Sequence, residues 1–548
     1  MILPRDAASR WFWLLAALLL VAEFLVFDRM TSHYHARYYP RWTDQAQYLT
    51  EAYTAGQALQ SQGLGAGVNA TLHKHAPQGA LHDFAAMLVF WVAGSPSRSA
   101  ALSLNMLVFL AWQLALLAVI PRVSGSRALG WIAFGLVLCV AHPWSVDAAS
   151  ALDFRLDHGA MCLMGVTATV ALLTDGFRST RWSLVFGLAA TVTLLERFLT
   201  GVYFAGIFVA LGAWILCGEA RLPRLRNLFL AGLVMLFVAG PVLWLNRTAI
   251  YNYYWVGHIA SAEAVTRAQG FNAWQSVAFI AGELGRFQLG NWFLWVAATL
   301  TALLGLAALA SRRPETAPPR ATDWLVVSLV FLLMPALALG LHRQKSPYVL
   351  GVLIPGLILA LLWLWHRAWS RLDAANRDVR AARPLAVALA LAAGLGFFLQ
   401  RQLTPPYTAE FFASATQVNR VTDHVFATSR RAGLTAPRLS ADLWTEYFYP
   451  RTLGVLSYER HRVWLPFTTL LPIGITEEPD TFIMERIAQS DFVLLTDDFP
   501  EHGYYPYDRQ MRRLYPALKE WCEQHLRRVD TFPIFNRRMS LYQRRDLP

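Results

Sequence analysis

Apolar runs of membrane-crossing length constrain the fold of this chain more than any other feature. A helix that crosses the hydrocarbon layer needs about 20 predominantly apolar residues. Stretches of that kind recur between residues 11 and 400 and then stop. Eleven are placed, near 11–27, 98–120, 129–146, 158–173, 183–199, 201–217, 228–246, 288–310, 324–341, 348–365 and 384–400. Lipid offers the backbone no hydrogen-bond partners, so each is expected to be a helix. With 55% hydrophobic residues and only 15% charged ones, a soluble multidomain chain is excluded. The first run lacks a small-residue cleavage site and is followed by more spans, so it reads as a retained helix and not a signal peptide.

A net charge of +12 would suggest nucleic acid as partner in a soluble protein. Here the arginines concentrate in the loops PRVSGSRA, TDGFRSTRW, GEARLPRLR, SRRPETAPPR and HRAWSRLDAANRDVRAARP. All five fall on one side if the N-terminus is cytoplasmic, as the positive-inside rule requires, so no nucleic acid is expected. Three of the four cysteines, Cys139, Cys162 and Cys217, lie in apolar runs, and no disulfide or thiolate metal site is expected.

This orientation divides the chain into a transmembrane domain, 1–400, and a polar periplasmic domain, 401–548. It also places a first loop, 28–97, a short loop, 147–157, and a third loop, 247–287, on the outer side. Within the first loop, LHDFAAMLVFWVAG (81–94) is too short to span and reads as a helix lying at the interface. In the tail, IMERIAQS and RQMRRLYPALKEWCEQHLRR read as helices and DFVLLTDD and VDTFPIF as strands, a small α/β domain.

Ionisable residues at the edge of a membrane are costly and therefore mark function. On the outer side they are Asp44, Lys74, Asp153, Arg155, Asp157, Glu196, Arg197, His258, Glu263, Arg267, Arg343 and Lys345. Carboxylates among cations suit transfer of a group from a lipid phosphate. A carboxylate can take the proton of an attacking hydroxyl or amine, and cations can hold the charge of a departing phosphate. Bland readings stand beside these: Asp44 as a helix cap, Arg155 in an ion pair with Asp157, Arg197 pairing with Glu196, and Lys74 as a snorkelling lysine. His73, His75 and His82 do not form a helical metal face, so no metal site is expected.

The order of five short motifs resembles a known family. An aspartate followed by tyrosine stands in TDQAQYL, and a lysine precedes a proline and an aromatic interfacial helix in KHAPQGALHDFAAMLVFWVAG. A second aspartate opens the fourth span in RLDHGAMCL, a basic residue breaks a pair of spans in ERFLTG, and a late lysine precedes a proline-containing helix in QKSPYVLGVLIPG. Together they are similar to the GT-C fold glycosyltransferases that use lipid-phosphate sugars, the group of protein O-mannosyltransferases and lipid A aminoarabinose transferases. The resemblance covers residues 11–366. It implies that Asp44 is the catalytic base or its close partner, that Asp157 is the second acid, and that Lys74, Arg197 and Lys345 are candidate contacts of the donor phosphate. Arg343, His258, Glu263 and Arg267 are further candidates for donor binding. Gln45 stands where the family often has a second acid.

The chain is thus expected to be a polytopic α-helical protein of the bacterial inner membrane. Its expected activity is transfer of a sugar from a polyprenyl-phosphate donor to an outer acceptor, with inversion, and membrane lipids would surround it. No cofactor is expected, and a divalent cation stays open as an addition. A transporter or flippase of a lipid-linked sugar, and a polymerase or ligase using a diphosphate-linked glycan, stay open as alternatives.

Overall fold

The computed structural model describes residues 7–41, 43–72, 78–311, 321–372, 381–404, 407–441, 451–465, 467–470, 477–497, 506–535 and 537–548. Ten helices build the first half: α1 (Ala7–His33), α2 (Thr43–Gln62), α3 (Leu64–Leu72), α4 (Leu81–Ala93), α5 (Arg98–Ser124), α6 (Arg127–Leu138), α7 (Leu156–Ala171), α8 (Thr180–Glu196), α9 (Thr200–Leu216) and α10 (Arg221–Leu245).

Among the described residues, eight helices are long and apolar enough to cross a membrane. They overlap eight of the eleven expected segments, and the one expected at 288–310 begins at Ala273, within the expected third loop. The remaining three segments form the shorter helices α6, α8 and α9. The expected eleven spans therefore resolve into eight long helices and three short ones. The expected break between the fifth and sixth segments falls at Arg197, where the backbone leaves α8 in an extended conformation.

The expected first loop, 28–97, is largely helical. The first span runs on to Arg37, and α2, α3 and α4 follow. In α4, Met87 and Phe90 are fully buried while Trp91 and Val92 are 67% and 82% exposed. This two-sided pattern is what a helix lying along a membrane surface needs.

Where helices cross closely, small residues let the backbones touch. Gly135 of α6 faces the helix Ala382–Leu403 so closely that a Cβ there would meet the backbone of Ala390, and a Cβ at Gly394 would meet the backbone of Gly135.

The tail forms the expected α/β domain. Its strands are β1 (Leu439–Ala441), β2 (Phe467–Thr469), β3 (Phe492–Thr496), β4 (Leu526–Ile534) and β5 (Arg537–Arg544). They order as β2-β1-β3-β5-β4. The first three are parallel, and β5 turns the sheet antiparallel. All five residues of β3 are buried, as a central strand covered on both faces requires.

This domain docks on the helices next to the first span. The buried Arg98 at the start of α5 pairs with Glu459 at 2.6 Å, and Tyr53 of α2 donates to the same carboxylate at 2.7 Å. Arg451 donates to Gln47 of α2 at 2.6 Å, and the Thr452 hydroxyl to the Pro40 carbonyl at 3.1 Å. Substituting Gly394 by valine is expected to cost about 1–3 kcal/mol by overpacking and to lower the melting temperature of the detergent-solubilised protein. Gly396→Ala, on the same helix where a Cβ meets nothing within 4 Å, should leave it unchanged.

Candidate active site

The site is built where α2 begins, where the 147–155 segment enters α7, and where α8 breaks. Asp44 stands in the first turn of α2, a position the positive helix end favours for an acid. Its carboxylate lies 2.8 Å from Arg155. The same guanidinium lies 3.8 Å from both Asp153 and Asp157. Asp157, in the first turn of α7, is taken on its other oxygen by Arg197. Three acids and two arginines thus alternate in one cluster.

Exposure separates the acids. The Asp44 side chain is 41% exposed, whereas those of Asp157 and Asp153 are 5% and 3% exposed. Asp44 is the carboxylate a substrate can reach, and Asp157 is buried behind two guanidiniums. Asp153 is tied into its own segment: it accepts the Ala149 N–H at 2.6 Å. Asn105 of α5 pins the same segment by donating to the Ala151 and Asp153 carbonyls at 3.0 Å.

Gln45, next to Asp44, does not face the cluster. Its side chain is buried, accepts the Arg41 N–H at 3.1 Å and donates to the Leu152 carbonyl at 3.4 Å. It braces α2 against the 147–155 segment and so explains why an amide stands there. An amide can both donate and accept, and a carboxylate can only accept.

Arg197 is aimed by the break after α8. Residues 78–80 run beside it: the Ala80 N–H donates to the Leu195 carbonyl and the Phe198 N–H to the Gln78 carbonyl, both at 2.8 Å. Gly79 has no room for a Cβ against the Glu196 backbone, nor Gly159 against the Glu196 carboxylate. Glu196 does not pair with Arg197, contrary to the bland expectation. It bonds His82 of α4 at 2.8 Å, both side chains being buried, which leaves Arg197 directed at Asp157.

Gln78 joins three elements at the site. Tyr48 of α2 donates to its side-chain oxygen, and its amide donates to the Tyr253 hydroxyl at 2.6 Å. Burial first, and the Asp44 charge second, raise the pKa of both tyrosines, so both keep their protons. Tyr253 lies in a π-helical stretch, Tyr251–Ala260, with its ring 4.6 Å from that of His258.

The other expected binding residues gather on that side and not directly on the acid cluster. His258 bonds the Tyr253 carbonyl at 2.7 Å, and its ring centroid lies 6.3 Å from that of His342. Lys345 donates to the carbonyls of Leu339, Gly340 and His342 at 3.1, 2.7 and 2.5 Å. It caps the end of the helix Ala321–Leu341, and burial lowers its pKa. The Gln269 N–H donates to the Arg343 carbonyl at 3.4 Å, which joins the third loop to this turn. The positive charge of Arg267, with those of Arg197 and Arg155, opposes the rise in the Tyr253 pKa. Lys74 lies outside the described residues, as does the side chain of Glu263. Among the described residues no three His, Cys, Asp or Glu side chains gather as a metal-holding group.

The sequence matches no family model and no curated protein. Solved structures do match. ArnT from Cupriavidus metallidurans bound to undecaprenyl phosphate superposes with a TM-score of 0.58, at 15% identity over 98% of each chain. The arabinofuranosyltransferase AftD from Mycobacteria superposes with a TM-score of 0.51, at 14% identity over 97% of this chain and 40% of that one. The chain has the GT-C fold. In this GT-C chain Arg155 bridges the expected pair Asp44 and Asp157, and Arg197 joins Asp157. Sequence reasoning ranked Arg155 as a structural partner, yet it is the hub of the cluster. Its position between Asp153 and Asp157 in LDFRLDHG was the available signal.

Burial raises the Asp153 carboxyl from 3.8 to about 7, against the pull of Arg155. The folded chain therefore holds this proton more tightly than the unfolded chain. Stability from this group is fully present below about pH 4 and is lost as pH rises through about 7. Asp153→Asn is expected to flatten the fall of the melting temperature between pH 5 and 7.5.

Proposed function

We propose that this protein is a glycosyltransferase of the bacterial inner membrane that moves a sugar from a polyprenyl-phosphate donor to an acceptor outside the cytoplasm. One observation carries the reading: a reachable carboxylate, Asp44, is held by Arg155 beside a buried acid, Asp157, that holds Arg197. The cluster occurs in a fold shared with a protein seen bound to undecaprenyl phosphate. The arginine-rich loops at 121–128, 174–182 and 218–226 lie at the opposite ends of the helices. The positive-inside rule puts those ends in the cytoplasm and the site outside.

In this reading Asp44 accepts the proton of an acceptor hydroxyl or amine. The freed lone pair attacks the anomeric carbon, and the bond from that carbon to the phosphate oxygen breaks. Its electron pair leaves with polyprenyl phosphate, and a single displacement inverts the anomeric centre. Arg197 and Arg155 lie where the charge of the leaving phosphate develops, in a site of low dielectric where preorganised cations act strongly. Lys345, Arg343, His258, Arg267, Glu263 and Lys74 are proposed around the donor beyond them. Asp157 acts through Arg197, which makes it a positioning residue.

The test uses purified protein, a synthetic polyprenyl-phosphate sugar and candidate acceptors, and measures release of polyprenyl phosphate. Loss of the general base in Asp44→Asn should slow release about 10²–10⁴-fold. Equal release by wild type and this variant would overturn the role of Asp44. Movement of intact donor across a vesicle, with no release, would replace the reading by a transporter.

A further inference from the structure

The C-terminal α/β domain carries a cavity of about 480 Å³ that shares no residue with the acid–arginine cluster. It opens between the last turns of the helices Ala409–Arg431 and Arg451–His461 and the stretch 463–465 that leads into β2. Two stacked ring pairs stand at it. The Trp464 indole lies flat on Tyr458, with centroids 4.4 Å and planes 15° apart, and its N–H donates to Gln57 of α2 at 3.3 Å. The His461 ring lies flat on Phe426 at 4.0 Å and 4°, and Asp423 holds it at 2.9 Å. Both rings are thus fixed before any ligand arrives, which spares the cost of ordering them on binding.

Polar groups converge on the same space: Arg430, Thr435 and Ser457 belong to the lining. The Ser457 hydroxyl donates to the Val463 carbonyl at 2.7 Å, which leaves its lone pairs to accept. Arg430 and Thr435 are exposed, and their side chains have no partner among the described residues. No acid is among the lining residues. Apolar walls with a few converging polar groups are the mark of a small-molecule pocket. A ring with C–H bonds on its faces and hydroxyls around its edge matches this one. The C–H bonds carry partial positive charge and meet the negative face of an aromatic ring, and the hydroxyls serve donors and acceptors alike. Lipid phosphates are held by clusters of basic groups, and here one guanidinium stands alone while His461 is bound to an acid.

We propose that this cavity binds a sugar ring of the acceptor, with Trp464 and the His461–Phe426 pair against its C–H bonds and Arg430, Thr435 and Ser457 on its hydroxyls. Gln57, which holds Trp464, follows Asp44 by thirteen residues in α2, about 20 Å along the helix axis. An acceptor that reaches both places is a glycan of several units and not a single sugar or an amino-acid side chain. Assignment to the acceptor rests on the glycosyltransferase reading, whereas the sugar pocket stands on its own lining.

The full-length protein is placed in phosphatidylcholine nanodiscs, which carry no sugar, and the methyl glycosides of glucose, galactose, mannose, N-acetylglucosamine and glucuronic acid are offered in turn. Saturation-transfer NMR reads which ring protons touch the protein, and titration gives the Kd. At least one glycoside is expected to receive saturation on its ring C–H protons. Trp464→Ala should abolish this transfer, and Arg430→Gln should weaken binding about tenfold, the worth of a hydrogen bond from a charged group. Because Arg430 is exposed and has no partner among the described residues, its variant should melt as wild type does and decides the matter even if Trp464→Ala does not fold. Arg431→Gln, next in sequence but outside the lining, should bind as wild type. No transfer to any glycoside overturns the proposal, and transfer unchanged in either cavity variant overturns the location. A rise in melting temperature with inorganic phosphate that Arg430→Gln removes, with none from the glycosides, overturns the sugar assignment in favour of an anion. Release of polyprenyl phosphate without glycoside binding defeats this inference alone, and glycoside binding without release defeats the glycosyltransferase reading alone.

Discussion

The arrangement of the outer end of the bundle depends on one buried cation. The Arg155 guanidinium is only 17% exposed, and a charge so placed is tolerated only when paired. Its partners come from α2, from the 147–155 segment and from α7. Those elements must therefore converge, and with them come Gln45 and Asn105 as neutral braces. Arg197 then closes the cluster from the break after α8. A hydrophobic contact could hold the same helices together but would not place a reachable carboxylate at their junction.

A second layer of constraint sets which way Arg197 points. Gly79 and Gly159 allow the Glu196 backbone and carboxylate to pass where no other residue would leave space. His82 then binds Glu196 away from its neighbour. Sequence adjacency suggested a Glu196–Arg197 pair. Consecutive residues at the end of a helix point in different directions, and tertiary packing gave each its own partner. The same packing separates the acids by exposure, which turns two chemically equal aspartates into a reachable one and a buried one.

The C-terminal domain is tied to this end through Arg98, Glu459 and Tyr53. That contact holds α2, the helix that carries Asp44. The geometry of the acid–arginine cluster thus rests on three surfaces at once: the bundle, the first loop and the docked domain.

Composition and the length of the apolar runs by themselves pointed to a helical membrane chain, because lipid admits only helices and closed barrels and uninterrupted runs of this length suit helices. Short motifs also sufficed to nominate Asp44, Asp157 and Arg197, since charged residues at a membrane edge are too costly to be incidental. Only the tertiary structure decided that Arg155 is the hub, that Gln45 is a brace and that Lys345 caps a helix end. It also set where α6, α8 and α9 begin and end. The hub and the brace depend on which side chains meet across more than 100 residues of chain, and on how water is excluded from them. Local periodicity carries no record of either.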